Sequence, residues 1–175
     1  MDKAFIEVNG MPLWRRQLHV LQQLEPVDIL LSGPPRDEWQ AANCVIIPDA
    51  QQDAGPLAGV VAALRHCKMP LLLMLAIDLP NMTSNYLREL VDSCASNVGI
   101  IPSDVDRIEP IAAVYPKRAL AIAENCLASR DLSLQRFAAR CVAEGFANVK
   151  PIAPEERPLF LNMNTPEDLL AMTNG

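Results

Sequence analysis

The sequence predicts an α/β fold, a Rossmann-like three-layer α/β/α sandwich with a mostly parallel sheet. Short apolar runs alternate along the chain with stretches whose apolar residues recur at helical spacing, which is typical of alternating strands and helices. Residues 71–77 form a continuous apolar run, L-L-L-M-L-A-I, which indicates a central strand buried on both faces. The 175 residues fit one domain, residues 1–175, and require no second core.

Turn residues and helix breakers set the limits of the predicted elements. Asn9 and Gly10 form a turn after the first extended piece, Pro26 ends the first helix, and Gly145 ends a late one. The predicted strands cover residues 5–8, 27–31, 44–47, 71–77, 98–101, 111–115, 149–152 and 159–161. The predicted helices cover residues 12–24, 37–42, 57–66, 84–95, 120–128 and 132–144, and a last one begins at residue 165.

Composition and charge narrow the possible functions. A formal net charge of −6 disfavours binding to nucleic acid or to an anionic membrane, so a phosphate-bearing ligand needs a local site. The longest apolar run is far shorter than the roughly 20 residues that span a bilayer, and no export signal follows Met1. We therefore expect a cytoplasmic protein. The cysteines are odd in number and scattered, which argues against a disulfide framework or a zinc site: Cys44, Cys67, Cys94, Cys126 and Cys141.

The first loop with unusual chemistry follows the strand over residues 44–47. Ligands of open parallel sheets bind where strands end and loops lead into helices. Asp49 stands at such a position, and a glycine-bounded segment opens the next helix and offers backbone N–H groups to a flat base or an anion. A plain connection into the helix is the alternative. The segment reads G-P-L-A-G and consists of Gly55, Pro56, Leu57, Ala58 and Gly59.

The second loop carries Asp78 at the end of the most apolar strand. A carboxylate in such a place is costly unless it is paired, hydrated or bound to a cation. Mg²⁺ needs only one or two protein carboxylates besides the phosphate oxygens of a substrate, which Asp78 can supply. The alternative is that Asp78 caps the loop that follows it.

The third loop contains two asparagines in the segment F-L-N-M-N-T-P-E-D-L, residues 160–169. Asn162 and Asn164 alternate along an extended piece, so their side chains point the same way and offer uncharged amide groups. The alternative is that Asn164 caps the helix that begins at Thr165.

Taken together, these segments resemble the molybdenum cofactor guanylyltransferase family. Besides the three loops, the resemblance rests on the segments D-K-A at residues 2–4, N-G-M-P-L at residues 9–13 and E-P-I at residues 109–111. The segments stand in the family's order over nearly the whole chain. The resemblance implies a Rossmann-like nucleotide-binding fold and the Mg²⁺-dependent transfer of GMP from GTP to the phosphate of a molybdopterin-type cofactor.

The resemblance also implies a role for each candidate residue. Lys3 matches the lysine that contacts the nucleotide phosphates, and Asp78 matches the metal-binding aspartate. Asp49 and the segment Gly55 to Gly59 match the part that recognises ribose and guanine. The asparagine pair placed near the reacting phosphates and the acceptor is matched by Asn162 and Asn164. No serine, cysteine or histidine nucleophile is needed, because the acceptor phosphate is itself a nucleophile, and Mg²⁺ and a lysine can align the two anions.

The chain departs from the family at its beginning. The family has a first strand and a loop of the form L-x-G-G-x-S-x-R-M-G before the Asp-Lys pair, whereas here Met1 stands at the end of that motif. We expect slow catalysis from the chain as given, since this loop supplies phosphate-binding N–H groups and an arginine. Three arrangements are possible: a longer protein with another start, neighbouring strands that close up, or pairing with another chain. There are two smaller departures. The family often has an Asn shortly after the second strand, where Ser32-Gly33-Pro34 stands here, and it favours His-Pro where this chain has Glu109-Pro110.

Two other functions fit the same segments. One is a non-catalytic remnant that binds nucleotide weakly or acts as a partner module. The other is a related transferase that uses CTP or another nucleotide. The expected partners are a nucleotide and a phosphorylated cofactor acceptor. A second copy of the chain or a protein of cofactor assembly is a further possible partner.

Overall fold

The computed structural model of the chain describes residues 3–40, 42–51, 53–105 and 107–163. The helices are α1 (Leu13–Gln22), α2 (Pro56–His66), α3 (Ser84–Asp92), α4 (Leu120–Ala128) and α5 (Leu134–Ala143). The strands are β1 (Glu7–Val8), β2 (Met11–Pro12), β3 (Leu30–Ser32), β4 (Val45–Ile47), β5 (Leu71–Leu75), β6 (Gly99–Asp104), β7 (Arg107–Ile108), β8 (Ala112–Pro116) and β9 (Ala147–Pro151). Short 3-10 helices cover Lys3–Phe5, Asp37–Trp39, Lys117–Ala119 and Pro154–Phe160.

The described strands form three separate hydrogen-bonded groups. β1 and β2 make a small antiparallel hairpin, and β3 pairs with β4 in parallel. The main sheet runs in the order β5, β8, β6 and β7, and β9 pairs with the other side of β6. Within the described residues, β3 and β5 share no hydrogen-bonded register. The arrangement in which neighbouring strands close up is therefore not the one adopted here.

The main sheet is mixed, although most of its longer strands share one direction. β5 and β6 are both antiparallel to β8, and β9 is parallel to β6, so β5, β6 and β9 run the same way. The predicted α/β class is confirmed, but the reversed strand β8 was not predicted. The reversal follows from the connection: the chain passes from β6 to β8 through the short hairpin strand β7, whereas a parallel pair needs a longer crossover.

Helices cover both faces of the main sheet, as predicted. Alternate residues of a strand face opposite sides, and β8 shows this clearly. Ala113 and Tyr115 belong to a core that also contains buried side chains of α2, α4 and α5. Val114 belongs to a second core with Leu87 and Leu90 of α3. Thr83 caps α3 by accepting a hydrogen bond from the Tyr86 amide.

Three predicted elements differ from the structure. The strand predicted over residues 27–31 is limited to β3, because the polypeptide before it is on the surface, with Val27 69% exposed. The strand predicted over residues 159–161 is wrong: a 3-10 helix runs from Pro154 to Phe160, and the prolines at 154 and 158 have no N–H group to donate to a ladder. The helix predicted over residues 37–42 is a single 3-10 turn, Asp37–Trp39. The helix predicted from residue 165 lies outside the described residues.

Strand β5 was predicted to be central, and that prediction is wrong for the described structure. Each of its five residues is half-buried, whereas all five residues of β8 are buried. β5 pairs with β8 on one side, and none of the other described strands pairs with its second edge. None of the described helices is long and apolar enough to cross a membrane.

Candidate functional site

The loop after β5 carries the first half of the candidate site. Asp78 follows the strand closely, and its side chain is 20% exposed. The Nζ of Lys3 lies 4.0 Å from Asp78 Oδ2, and the Lys3 side chain is 46% exposed. The structure therefore brings together the cation and the carboxylate that the sequence singled out from distant parts of the chain.

The two oxygens of Asp78 differ in their surroundings. Oδ2 faces Lys3, whereas Oδ1 is buried and has no hydrogen-bond partner among the described residues. A buried carboxylate oxygen without a donor is costly, so a bound cation or a new donor would offset this cost. Among the described residues, no three His, Cys, Asp or Glu side chains lie close enough to hold a metal by themselves. Asp78 thus fits a cation such as Mg²⁺, which takes one or two carboxylates and completes its shell with substrate oxygens and water.

The backbone around Asp78 is held by contacts from other segments. The amide of Met163 donates a hydrogen bond to the Asp78 carbonyl oxygen at 2.8 Å. The buried Gln17 side chain of α1 donates to the Leu79 carbonyl oxygen at 2.6 Å, so helix α1 fixes the residue after the carboxylate. These contacts hold the backbone carbonyl groups of the acid and of the residue after it, which limits how far this part of the loop can move.

The bond to Met163 also places the first of the two asparagines beside this loop. Asn162 precedes Met163 and is exposed, and Met163 itself is fully buried against Ile6 and Leu13. A place for Asn162 near the reacting phosphates, which the resemblance implies, is therefore compatible with the path of the chain. Asn164, the second predicted asparagine, lies outside the described residues.

The second half of the candidate site lies after β3 and β4. Ser32, the last residue of β3, donates a hydrogen bond from Oγ to Asp49 Oδ1 at 2.5 Å. A Cβ on Gly59 of α2 would lie 3.0 Å from Ser32 Oγ and 3.5 Å from Asp49 Oδ1. Glycine at position 59 therefore keeps space directly beside the Ser32–Asp49 pair.

Ser32 is a site residue that the sequence interpretation missed. The sequence places Asp49 and Gly59 in the candidate site, whereas Ser32 appears only in a segment that departs from the family's pattern. Ser32 lies at the end of a predicted strand, next to the strand that leads to Asp49. That position could have identified it as a candidate, because ligands of such sheets bind where strands end.

The segment Gly55 to Gly59 turns from the loop into α2. Gly55 has φ of +61°, which favours glycine, and Pro56 is the first helical residue, one position before the predicted start. The side chains of Leu57 and Ala58 have no exposed surface, so only their backbone could contact a ligand. The Ala58 amide donates to the Gly55 carbonyl oxygen at 3.1 Å and is therefore already engaged inside the turn.

Glu109 stands between β7 and β8, where the family favours histidine. Its Oε1 lies 3.6 Å from Arg107 Nε, and its side chain is 14% exposed. Burial raises the pKa of Glu109, the nearby Arg107 charge opposes this shift, and Asp104 adds to it. The negative charge at this position is therefore partly compensated by a neighbouring cation.

Comparison with known proteins shows the family to which this chain belongs. Residues 1–145 match the model of the MobA-like NTP transferase domain. The chain belongs to this nucleotidyltransferase family. A relative from Opitutus terrae, named "Probable molybdenum cofactor guanylyltransferase", is 36% identical over 172 residues, which are 95% of this chain and 84% of the relative. The molybdenum cofactor guanylyltransferase of Syntrophotalea carbinolica is 31% identical over 95% of this chain and 80% of its own length.

Solved structures agree with this family and this fold. Molybdopterin-guanine dinucleotide biosynthesis protein A from Archaeoglobus fulgidus superposes with a TM-score of 0.72 at 26% identity, over 98% of this chain and 88% of its own. A nucleotidyl transferase from Methanothermobacter has a TM-score of 0.78 at 14% identity, over 99% of this chain and 84% of its own, and shows the fold alone. The Rossmann-like architecture predicted from the sequence is therefore confirmed.

Proposed function

We propose that this chain transfers GMP from GTP to the phosphate of a molybdenum cofactor, and that it does so in the cytoplasm. The observation that carries the proposal is the likeness to molybdenum cofactor guanylyltransferases over 95% of the chain. The site geometry supports it, because a lysine and a carboxylate meet at the end of β5, beside a strand pair that ends in a second carboxylate.

In this proposal, Lys3 and Asp78 form the phosphate end of the site. Both reactants are anions, so the chief task of the site is to neutralise and align them. The Lys3 ammonium group provides a positive charge for the phosphates of the nucleotide. Asp78 would hold Mg²⁺, and the bound ion would withdraw charge from the phosphate oxygens. Asn162 and Asn164 would orient the reacting phosphate and the acceptor with their amide groups.

The bond changes need no side-chain nucleophile. An oxygen of the acceptor phosphate attacks the α-phosphorus of GTP, a new P–O–P linkage forms, and the bond to pyrophosphate breaks. Since the attacking oxygen is already anionic, no side chain has to remove a proton from it. The chain's residues therefore act by binding and orientation, and the five described cysteines, all free thiols, have no part in this step.

The Ser32–Asp49 pair and Gly59 form the nucleoside end of the site. Asp49 offers a carboxylate to the hydroxyl groups of ribose or to the amino group of guanine, and Ser32 holds that carboxylate in one orientation. Gly59 supplies the space in which a flat base can approach. The backbone of the segment Gly55 to Gly59 lies at the same end of α2.

Competition binding tests the choice of nucleotide. GTP, ATP and CTP should be titrated onto the chain by calorimetry, each with and without Mg²⁺. We expect GTP to bind at least tenfold more tightly than ATP or CTP, a difference of about 1.4 kcal/mol, and only with Mg²⁺ present. Equal affinity for the three nucleotides would contradict the guanine assignment. Tight binding without Mg²⁺ would contradict the role given to Asp78.

A further inference from the structure

Helix α1 carries an amide side chain at a position that its packing assigns to the core. Leu13, Trp14 and Leu18 are buried on one face of the helix, and Gln17 lies on the same face and is 5% exposed. Among the described residues with amide or charged side chains, only Gln17 is buried. Since burial of an amide is costly unless a hydrogen bond compensates for it, the partner of Gln17 indicates its role.

The partner of Gln17 is the loop that carries Asp78. The Gln17 Nε2 donates to the Leu79 carbonyl oxygen at 2.6 Å. The preceding residue Arg16, which is half-buried, donates from Nε to the Pro80 carbonyl oxygen at 2.6 Å. Two successive side chains of α1 therefore hold two successive carbonyl groups, directly after the candidate metal ligand.

The Leu79 carbonyl group has a second donor besides Gln17. It also accepts a hydrogen bond from the Met82 amide at 3.1 Å, in the turn over residues 79–82. Loss of the Gln17 bond would therefore not leave this carbonyl group without a donor. An apolar side chain of similar size at position 17 would pack on the same face of α1 and would avoid the burial of an amide. Stability alone therefore gives little reason for glutamine at this position.

The peptide held by Gln17 adjoins the acid of the candidate site. The Asp78 carbonyl oxygen accepts a hydrogen bond from the Met163 amide, and Asp78 Oδ2 lies 4.0 Å from Lys3 Nζ. The groups of a catalytic site must stay close to their productive positions, because a displacement of about 1 Å can cost a hundredfold in rate. A contact from a packed helix to the next peptide limits such a displacement.

We propose that Gln17 is a positioning residue of the candidate site, which holds the Leu79 carbonyl group so that Asp78 keeps its place beside Lys3. The inference rests on the proposed function for the role of Asp78 as a Mg²⁺ ligand. Gln17 acts through the backbone and touches neither the nucleotide nor the metal. Loss of its hydrogen bond should loosen the contact between residues 78 and 163 and should raise the Mg²⁺ concentration that GTP binding requires.

The variant Gln17→Met tests the proposal. Methionine has a similar length and a similar helix propensity, but it has no N–H group to donate. The matched control is Gln22→Met, which removes an exposed glutamine from the same helix. Three quantities are measured for the original chain and both variants: the melting temperature, the amide exchange of Met163 by NMR without ligand, and the Mg²⁺ concentration that gives half-maximal GTP binding.

The expected result separates stability from positioning. For Gln17→Met we expect an unchanged or slightly higher melting temperature, exchange of the Met163 amide that is about tenfold faster, and unchanged exchange in β8. The Mg²⁺ requirement should rise by about tenfold, and excess Mg²⁺ should restore GTP binding, because mass action offsets a weakened metal site. Gln22→Met should match the original chain in all three measurements.

Three outcomes would overturn the proposal. A melting temperature several degrees lower, with faster exchange throughout β8, would make Gln17 a structural core residue. Unchanged exchange of the Met163 amide would mean that the loop keeps its place without Gln17, and an unchanged Mg²⁺ requirement would mean that loosening the loop does not affect Asp78. If the original chain does not bind GTP with Mg²⁺, the proposed function fails, whereas the ligand-free exchange of Met163 still decides whether Gln17 holds the loop.

Discussion

Two neighbouring strands of one sheet, β8 and β5, differ in packing and in what lies beside them. All five residues of β8 are buried between two cores, and β8 pairs with strands on both sides. All five residues of β5 are half-buried, and β5 ends next to Lys3 and Asp78. We therefore expect the packed side of the molecule, around β8, to contribute more to stability than the open side, at the end of β5, which carries the candidate site. Substitutions on the packed side should therefore change mainly the free energy of unfolding, and substitutions on the open side should change mainly ligand binding.

The largest expected effect is a loss of stability on the packed side. Leu87 of α3 has no exposed surface, and Leu73 of β5 is half-buried in the same core. We expect Leu87→Ala to lower the free energy of unfolding by about 3–4 kcal/mol and Leu73→Ala by less than about 2, because a half-buried leucine loses fewer contacts. Urea denaturation measures both. Equal losses would show that β5 is as well packed as α3.

The next effect concerns Asp78, on the open side. Asp78→Asn should abolish Mg²⁺-dependent GTP binding, with a loss of at least a hundredfold, or about 2.7 kcal/mol. The melting temperature should stay nearly unchanged or rise slightly, since Asp78 Oδ1 has no hydrogen-bond donor among the described residues. Asp92→Asn on the exposed end of α3 is the matched control. A variant that melts several degrees lower and binds GTP normally would identify Asp78 as a structural cap.

A smaller effect concerns the choice of base. Gly59→Ala places a Cβ 3.0 Å from Ser32 Oγ, so the hydroxyl must shift by a few tenths of an ångström, and we expect this shift to weaken its hydrogen bond to Asp49. We expect the tenfold preference for GTP over ATP to disappear, a change of about 1.4 kcal/mol. Ser32→Ala removes the same hydrogen bond without adding volume and should weaken the preference less. Ser93→Ala removes an exposed serine far along the chain and should have no effect in the competition assay. If Ser93→Ala weakened the preference for GTP as much as Ser32→Ala, the Ser32–Asp49 pair would have no specific part in base choice.

The smallest effect is a pH dependence on the packed side, at Glu109. Because burial raises the folded-state pKa of Glu109, its contribution to stability is full below the unfolded pKa, about 4.3, and is lost as the pH rises through the folded value. Glu109→Gln should therefore raise the melting temperature at pH 7 by a few degrees at most, and the difference should vanish near pH 4. Melting curves of both proteins from pH 4 to 8 test this. A variant that melts lower at pH 7 would show that the pairing with Arg107 outweighs burial.

The sequence predicted much of the fold because apolar spacing is a local property. The helices α2 and α4 match their predicted limits closely, and α3 begins at Ser84, where the predicted helix begins. The direction of β8 was not predictable in this way, since apolar periodicity carries no information about strand direction. The apolar composition of β5 is typical of a central strand, which is why a central position was predicted. Its actual position depends on which strands pair with its two edges, and composition does not determine this.

The candidate site was predicted residue by residue, and the structure tests only its geometry. Lys3 and Asp78 do meet, although nothing in the local pattern of either residue required it. Ser32 was missed because a lone serine at a strand end has no distinctive pattern. Its contact with Asp49, which makes it a candidate, exists only in the folded chain. The roles of Asn162 and of the segment Gly55 to Gly59 remain predictions.

Single-turnover transfer of labelled GMP tests the central claim most directly. The chain, in excess over labelled GTP, should be mixed with molybdopterin-type acceptor and Mg²⁺, and the reaction should be followed in parallel with labelled CTP and with the Asp78→Asn variant. Single-turnover conditions separate slow chemistry from weak binding. The account predicts that label from GTP enters the acceptor faster than label from CTP, and that Asp78→Asn abolishes the transfer. Transfer from CTP at an equal or higher rate, or undiminished transfer by Asp78→Asn, would contradict it.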